Sequence, residues 1–178
     1  MKKAIIIYWS NTGNTEKVAH SIRRGLLAGG FAAESMKVDE AEDVDFYDYD
    51  LVCFGAPSYN WHLPKPADEY MKNKFSAYKK EGKIIINAPK VPGKYALIFC
   101  TYSGPHTGIR EAIPVGLYSG QFFEHLGFTV VDTWYVLSEF IGFAECNTTG
   151  RMGDIRGLPS EQDLQRIEKS ATNLAERL

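Results

Sequence analysis

Short apolar runs alternate with amphipathic stretches along the chain, a pattern typical of repeated strand and helix units. The run Ala4 to Tyr8 is almost wholly apolar, as expected for a central parallel strand that is buried on both faces. A weaker strand, Phe31 to Val38, carries Glu34 and Lys37, which favours a position at the edge of the sheet. Three further strands are predicted at Leu51 to Gly55, Tyr95 to Thr101 and Thr129 to Leu137.

Apolar residues at helical spacing predict four helices that alternate with these strands. The last helix has the clearest start, because Ser160 and Asp163 form an S-x-x-D capping box. In the third helix, four large residues are expected to face the core: Leu117, Tyr118, Phe122 and Leu126. The four helices are predicted to follow the loop at residues 10–15, to include Ala67 to Tyr78, to run from Pro114 to His125, and to run from Ser160 to Leu178.

Two segments do not follow this alternation. Gly82 to Lys94 contains three consecutive isoleucines, and it fits either a short strand or an apolar loop. Ser138 to Leu158 is a long connection that contains four glycines. Long loops inside compact domains are often lids, binding loops or contacts between subunits. We therefore expect the second segment to cover a ligand or to contribute to a homo-oligomer.

The composition describes an ordinary globular protein and excludes several functional classes. With 178 residues, 44% of them hydrophobic and 24% charged, the chain fits one domain spanning residues 1–178. The net charge of -2 gives no electrostatic reason to bind nucleic acid or an anionic membrane. No run approaches the roughly 20 apolar residues that span a bilayer, so membrane insertion is not expected.

The cysteines and the N-terminal residues favour a cytoplasmic protein. Cys53, Cys100 and Cys146 are odd in number, widely spaced and not arranged as C-x-x-C. A disulfide framework, a structural zinc and an iron–sulfur cluster are therefore not expected. The apolar run near Met1 is too short for a secretory signal and lacks a small-residue cleavage site.

The loop after the first strand carries the most specific chemistry. Residues 10–15 read Ser-Asn-Thr-Gly-Asn-Thr and lead directly into a helix. Backbone N–H groups and hydroxyls at a helix N-terminus bind phosphate without a basic side chain. The chain lacks the G-K-[ST] of a P-loop and the G-x-G-x-x-G of a dinucleotide fold, so a monophosphate is the favoured ligand.

Three loops together resemble the cofactor loops of the flavodoxin family. Ser10-x-Thr12-Gly13-x-Thr15 is similar to the flavodoxin phosphate loop, and residues 55–61 and 101–108 stand where flavodoxins hold the isoalloxazine ring. Residues 150–157 also resemble the tail of WrbA-type flavodoxin-domain reductases. The resemblance covers residues 3–178. It implies an α/β, flavodoxin-like, doubly wound five-stranded parallel sheet of order 2-1-3-4-5, with FMN bound where the strand order reverses.

The resemblance also assigns roles to individual residues. Side chains and backbone of the first loop are expected to hold the phosphate, and Trp61 and Tyr102 to form aromatic walls beside the ring, with Tyr59 as an alternative to Trp61. Backbone groups of the other two loops are expected to contact the ring edge. The predicted cofactor-binding residues are Ser10, Asn11, Thr12, Gly13, Asn14, Thr15, Pro57, Ser58, Tyr59, Asn60, Trp61, Thr101, Tyr102, Ser103, Gly104, His106, Thr107 and Gly108.

His106 is the one candidate catalytic residue. In its Gly-Pro-His-Thr-Gly turn it would donate a hydrogen bond to the reduced flavin or to a substrate oxygen. A turn histidine bonded to the backbone is an equally good interpretation. His20, His62 and His125 show no spacing typical of a metal site, and no metal is predicted.

Our first functional hypothesis is an FMN-dependent NAD(P)H oxidoreductase that resembles a quinone reductase. The near-neutral charge, the loop around His106 and the segment Ser138 to Leu158 favour it. Arg151 and Arg156 in that segment would meet a nucleotide phosphate, although exposed arginines without a ligand fit equally well. The electron donor and acceptor would then be small molecules.

The alternative is a flavodoxin-type electron carrier that docks to redox protein partners. The stretch Asp39 to Asp50 contains seven acidic residues and no basic one, and in flavodoxins such a rim guides basic partners. A solvated loop is the simpler account of this stretch. A phosphoacceptor receiver domain shares the sheet topology but needs an aspartate where Phe54 and Gly55 stand, so this function is excluded.

Overall fold

The computed structural model describes residues 1–103 and 108–178. These residues form a five-stranded, fully parallel sheet of order 2-1-3-4-5, which confirms the predicted fold class. Four α-helices connect or follow the strands. In chain order the elements are β1 (Lys3–Tyr8), α1 (Asn14–Ala28), β2 (Ala32–Lys37), β3 (Leu51–Pro57), α2 (Lys65–Lys80), β4 (Tyr95–Tyr102), α3 (Ile113–His125), β5 (Thr129–Leu137) and α4 (Glu161–Arg177).

The sheet is covered on both faces because its strands send apolar side chains in both directions. In β1, Ile5 and Ile7 face the core layer beneath α2 and α3, whereas Ala4 and Ile6 face the layer beneath α1 and α4. All four are fully buried. This double burial explains why β1 reads as a continuous apolar run.

Helices α1 and α4 approach each other unusually closely through small residues. A Cβ added at Gly25 would lie 2.1 Å from the Glu168 carbonyl oxygen, so a larger residue at this position would separate the helices. The Thr172 hydroxyl on α4 donates to the Gly25 carbonyl oxygen at 3.1 Å. These contacts join the middle of α4 to the C-terminal half of α1.

The predicted inward face of α3 is confirmed at Phe122 and Leu126 but wrong at Leu117 and Tyr118. Leu117 is 68% exposed and Tyr118 is 46% exposed, and the Tyr118 hydroxyl donates to Asp68 on α2 at 2.8 Å. The buried side of α3 includes Gly116 in close contact with β5, since a Cβ at Gly116 would lie 2.1 Å from the Tyr135 hydroxyl oxygen. The ring of Tyr135 on β5 therefore occupies the space beside Gly116, while Phe122 and Phe123 of α3 are buried in the core.

The two segments outside the alternation both form loops. In Gly82–Lys94, Ile85 and Ile86 are 57% and 87% exposed. The segment after β5 is organised around the buried Asn147, whose side chain accepts from the Phe140 N–H at 2.6 Å and donates to the Phe140 carbonyl oxygen at 3.0 Å. Over residues 1–103 and 108–178, no helix is long and apolar enough to cross a bilayer.

Candidate functional site

The loops after β1, β3 and β4 meet at the end of the sheet formed by the carboxyl ends of the strands, because these three parallel strands are neighbours. We call this end of the sheet the carboxyl edge, or simply the edge. The Trp9 N–H after β1 donates to the Gly55 carbonyl oxygen at 3.0 Å, and the Ser58 N–H after β3 donates to the Thr101 carbonyl oxygen at 2.9 Å. These backbone hydrogen bonds hold the starts of the three loops in fixed positions relative to one another. This edge contains the point where the strand order reverses, between β1 and β3.

The N-terminus of α1 is open toward this edge. Gly13 has φ +94°, a left-handed conformation that glycine adopts freely, and among the described residues no side chain caps the helix. The Ser10 hydroxyl accepts from the Gly13 N–H at 3.1 Å, which closes the loop on itself. The next N–H groups, at the positive end of the helix, remain available for an anion.

Asn14 and Thr15, which were predicted to hold the phosphate, are buried and bonded to other loops. The Asn14 amide donates to the Glu139 carbonyl oxygen at 3.0 Å, beyond β5. The Thr15 and Thr101 hydroxyl oxygens lie 2.7 Å apart, which joins α1 to the end of β4. The side chains thus brace the loop, and Asn11 and Thr12 are its exposed members.

Glu16, in the first turn of α1, turns away from the helix end. Its carboxylate accepts from the Tyr8 hydroxyl at 2.8 Å and lies 3.4 Å from the Lys37 ammonium. The hydrogen bond from Tyr8 is the main reason that the pKa of Glu16 lies below its ordinary value. Because the Glu16 carboxylate is bonded to Tyr8 and Lys37 at the side of the helix, its negative charge does not point into the loop at residues 10–15.

The loop after β3 is a tight hairpin turn. Tyr59 and His62 exchange two backbone hydrogen bonds of 2.9 and 3.0 Å. The two residues between them, Asn60 and Trp61, have φ angles of +48° and +68°. Two consecutive left-handed residues are typical of a type I′ turn, in which a bulky second residue is rare.

The aromatic residues at this edge differ in exposure. Trp61 is 56% exposed, and its indole N–H donates to the Glu111 carboxylate at 2.5 Å. Tyr59 is 45% exposed and packs edge-on against Trp9, with ring centroids 5.6 Å apart. Tyr102 is only 8% exposed and belongs to the core beneath α2 and α3. The structure therefore presents Trp61 and Tyr59 as surface aromatics, and it does not pair Trp61 with an equally exposed Tyr102.

Part of the loop after β4 lies outside the described residues, namely the predicted site residues Gly104, His106 and Thr107. The proposed role of His106 stays a prediction. Ser103 is partly buried at the start of this loop, and Gly108 is buried at its end, with φ +70°. A Cβ at Gly108 would lie 2.8 Å from the Met152 sulfur, so this loop contacts the segment after β5.

The acidic stretch Asp39 to Asp50 is less free than its sequence suggests. The Asp45 carboxylate pairs with Lys83 at 2.6 Å, and the buried Lys74 ammonium donates to the Glu42 and Val44 carbonyl oxygens at 2.6 Å each. Lysines from α2 and the loop after it therefore approach the stretch from outside. This finding favours the simpler interpretation, an entry loop whose charges are partly used within the fold.

Two residues of this edge had no role in the sequence prediction. Glu111 lies in a 3₁₀ turn (Gly108–Glu111) and contacts the loop after β3, and Glu139 contacts Asn14 through its carbonyl oxygen. No sequence signal marks them, since their partners lie 50 and 125 positions away. Such contacts depend on which loops the sheet brings together.

Known proteins match the chain over its N-terminal half and in its fold. A flavodoxin family model matches residues 6–92. A flavodoxin of Megasphaera elsdenii is 36% identical over 53 residues, which are 30% of this chain and 39% of that protein. A flavodoxin of Clostridium beijerinckii is 26% identical over 98 residues, which are 54% of this chain and 62% of that protein. The matches thus span less than two thirds of either relative.

The solved structures extend the likeness of the fold to the whole chain. Oxidised Flavodoxin 1 from Bacillus cereus superposes with a TM-score of 0.67 at 16% identity, over 99% of each chain. Because the sequence identity is only 16%, this similarity concerns the fold and not the function.

Proposed function

We propose that this chain, which is similar to flavodoxins in sequence and fold, binds FMN and carries electrons between redox protein partners. The observation that carries the proposal is the open N-terminus of α1, where Gly13 begins the helix at the point of strand-order reversal. An anion site of neutral donors suits a phosphate monoester. The flavodoxin relatives support the carrier over the oxidoreductase hypothesis.

The residues at this edge fit FMN in their chemistry. The exposed Thr12, the Ser10 hydroxyl and the first N–H groups of α1 would hold the phosphate, and the buried Asn14 and Thr15 would keep that loop in place. The exposed aromatic faces offer apolar surface to the isoalloxazine ring. They belong to Tyr59 and Trp61.

The protein supplies binding and orientation, and FMN, when bound, supplies one- and two-electron redox chemistry. The Trp61 indole and the apolar rim beside these loops would exclude water from the bound isoalloxazine ring. The rim is formed by residues of the segment after β5 that remain exposed: Phe140, Ile141 and Phe143. An exposed apolar rim also suits brief docking to a partner protein.

One of the two arginines considered for nucleotide binding has a partner within the chain. Arg156, a candidate for binding a nucleotide phosphate, is engaged by Asp154: its guanidinium donates to the two carboxylate oxygens at 2.9 and 2.5 Å. The hydrogen bond to Arg156 lowers the pKa of Asp154 to about 2, so the aspartate stays charged and offsets the arginine at neutral pH. Both side chains are exposed, so water screens the pair and a competing phosphate would meet little resistance from it.

An anaerobic titration separates the two functions. The purified protein is loaded with FMN, mixed with NADH or NADPH, and then titrated with dithionite while the flavin absorbance is recorded. We expect little change with either nucleotide, two resolved one-electron steps with dithionite, and rapid transfer from the reduced protein to cytochrome c.

The opposite results would favour other functions. Rapid bleaching by NADH or NADPH would identify an oxidoreductase and direct the search toward quinones and other acceptors. Failure of the protein to retain FMN, under conditions in which its circular dichroism shows a folded chain, would overturn both functions.

A further inference from the structure

Trp61 occupies a backbone conformation that costs free energy. Its φ of +68° follows a φ of +48° at Asn60, and a type I′ turn of this kind favours glycine at the second position. A bulky residue in the left-handed region persists only where surrounding contacts hold it. Trp61 is also 56% exposed, so packing against the core does not supply those contacts.

Glu111 contacts Trp61 within this turn and Ser58 just before it. The Trp61 indole N–H donates to the Glu111 carboxylate at 2.5 Å. The Ser58 hydroxyl, just before the turn, donates to the Glu111 backbone carbonyl oxygen. The loop after β3 is thus fastened to the 3₁₀ turn that precedes α3, and the bond to the Glu111 carboxylate is the one that acts on the indole itself.

We propose that Glu111 is a positioning residue whose carboxylate holds the Trp61 indole in one orientation and thereby strengthens FMN binding. The inference rests on the proposed function, in which Trp61 lies beside the flavin. An indole that is oriented before the ligand arrives does not have to be ordered on binding, and this raises affinity. A charged acceptor suits the task because it bonds an indole N–H more strongly than a neutral one.

The first experiment uses the protein without flavin and follows its three indole N–H signals by NMR. Glu111→Ala should shift the Trp61 signal and increase its hydrogen exchange about fivefold, the factor expected for one lost hydrogen bond. Glu111→Gln, which keeps an acceptor oxygen, should leave exchange within about twofold of wild type.

Trp134 provides the matched control. Its indole N–H donates to the Asp132 carboxylate at 2.8 Å, so it makes the same kind of bond on β5. Asp132→Ala should shift the Trp134 signal alone, and Glu111→Ala should leave that signal unchanged. The Ser58 hydroxyl donates to the Glu111 backbone carbonyl oxygen, so this bond does not depend on the Glu111 side chain and should persist in both Glu111 variants.

The second experiment measures FMN affinity by quenching of flavin fluorescence. Glu111→Ala should weaken binding about fivefold to tenfold, Glu111→Gln about twofold or less, and Asp132→Ala not at all. Trp61→Phe lacks the indole N–H, so adding Glu111→Ala to it should cause no further loss in a double-mutant cycle.

The two readouts keep the outcomes distinct. A Trp61 signal that ignores Glu111→Ala overturns the inference, and so does a shifted signal with unchanged FMN affinity. If the wild type binds no FMN, the proposed function fails, and the signals of the flavin-free protein still decide whether Glu111 holds Trp61.

Discussion

Helices α1 and α4 lie side by side, yet they begin in opposite ways. At α4 the Ser160 hydroxyl accepts from the Asp163 N–H at 3.2 Å, and the Asp163 carboxylate accepts from the Ser160 N–H at 2.9 Å. At α1 the helix starts from Gly13 without a side-chain cap from any described residue. The acidic residue of its third position, Glu16, is bonded to Tyr8 instead.

The difference separates a helix end that serves the fold from one that can serve a ligand. A capping box satisfies the N-terminal N–H groups of α4 within the chain and stabilises the helix. The corresponding groups of α1 keep their bonding capacity, and their environment is fixed by Thr15 and Asn14 through other loops. Stability is thus supplied around the α1 terminus, and the N–H groups there remain free to bind an anion.

Gly13→Val should have the largest effect. A β-branched residue at φ +94° is strained, so the loop must change shape, and we expect FMN affinity to fall by about a hundredfold, or about 3 kcal/mol. Gly82→Val is the matched control, because Gly82 has φ +74° and, as at Gly13, no described atom lies within 4 Å of an added Cβ. Flavin titration should show unchanged affinity for the control. Equal losses in both variants would contradict the assignment of the phosphate loop.

Ser160→Ala should act on stability alone. Loss of this cap should lower the free energy of unfolding by about 1 kcal/mol, which urea denaturation monitored by circular dichroism can measure. FMN affinity should stay within experimental error, since the cap lies at α4. A clear loss of flavin binding would show that the two helix ends are not functionally separate.

Asn14→Ala tests whether the open end of α1 depends on the segment after β5. The variant removes the hydrogen bond to the Glu139 carbonyl oxygen, and residues 138–158 should exchange amide hydrogens faster in mass spectrometry. FMN affinity should fall about threefold as the loop loses its brace. Asn173→Ala, on the exposed side of α4, is the control.

The two outcomes for that segment are covering the flavin and contacting a second subunit. Faster exchange together with weaker FMN binding would support a cover, whereas a change in sedimentation that depends on concentration would support a subunit contact. Unchanged exchange, affinity and sedimentation would contradict both hypotheses.

Acid should reveal the smallest effect, at the α4 cap. The hydrogen bond from the Ser160 hydroxyl is the main reason that the pKa of Asp163 lies below its ordinary value of 3.8. A depressed pKa stabilises the fold above that value, and the contribution is lost as the pH falls through the pKa of the folded state. Asp163→Asn should therefore lose less stability than wild type between pH 5 and about pH 2 in acid titrations. An identical pH dependence would show that the bond does not persist in solution.

The pattern of the sequence determined the strands and helices, and it indicated that the ligand site lies in the loops after β1, β3 and β4. Continuous apolar runs reported the buried strands, and the S-x-x-D motif located the start of α4, because both are local consequences of burial and hydrogen bonding. The strand order came from the resemblance of three loops to those of flavodoxins. The errors at Leu117 and Tyr118 show the limit of this reasoning. Which side of α3 meets the sheet depends on its contacts with β5, where the Tyr135 ring lies against Gly116.

Only the tertiary structure decided which residues of the edge are exposed to a ligand and which ones hold the loops in place. Tyr102 is buried while Trp61 is exposed, Asn14 braces a distant segment, and Glu111 holds an indole that lies 50 positions earlier. The physical reason is that periodicity reports which side chains leave water, whereas a hydrogen bond depends on the position of both partners. For these loops, that position is set by the parallel packing of β1, β3 and β4.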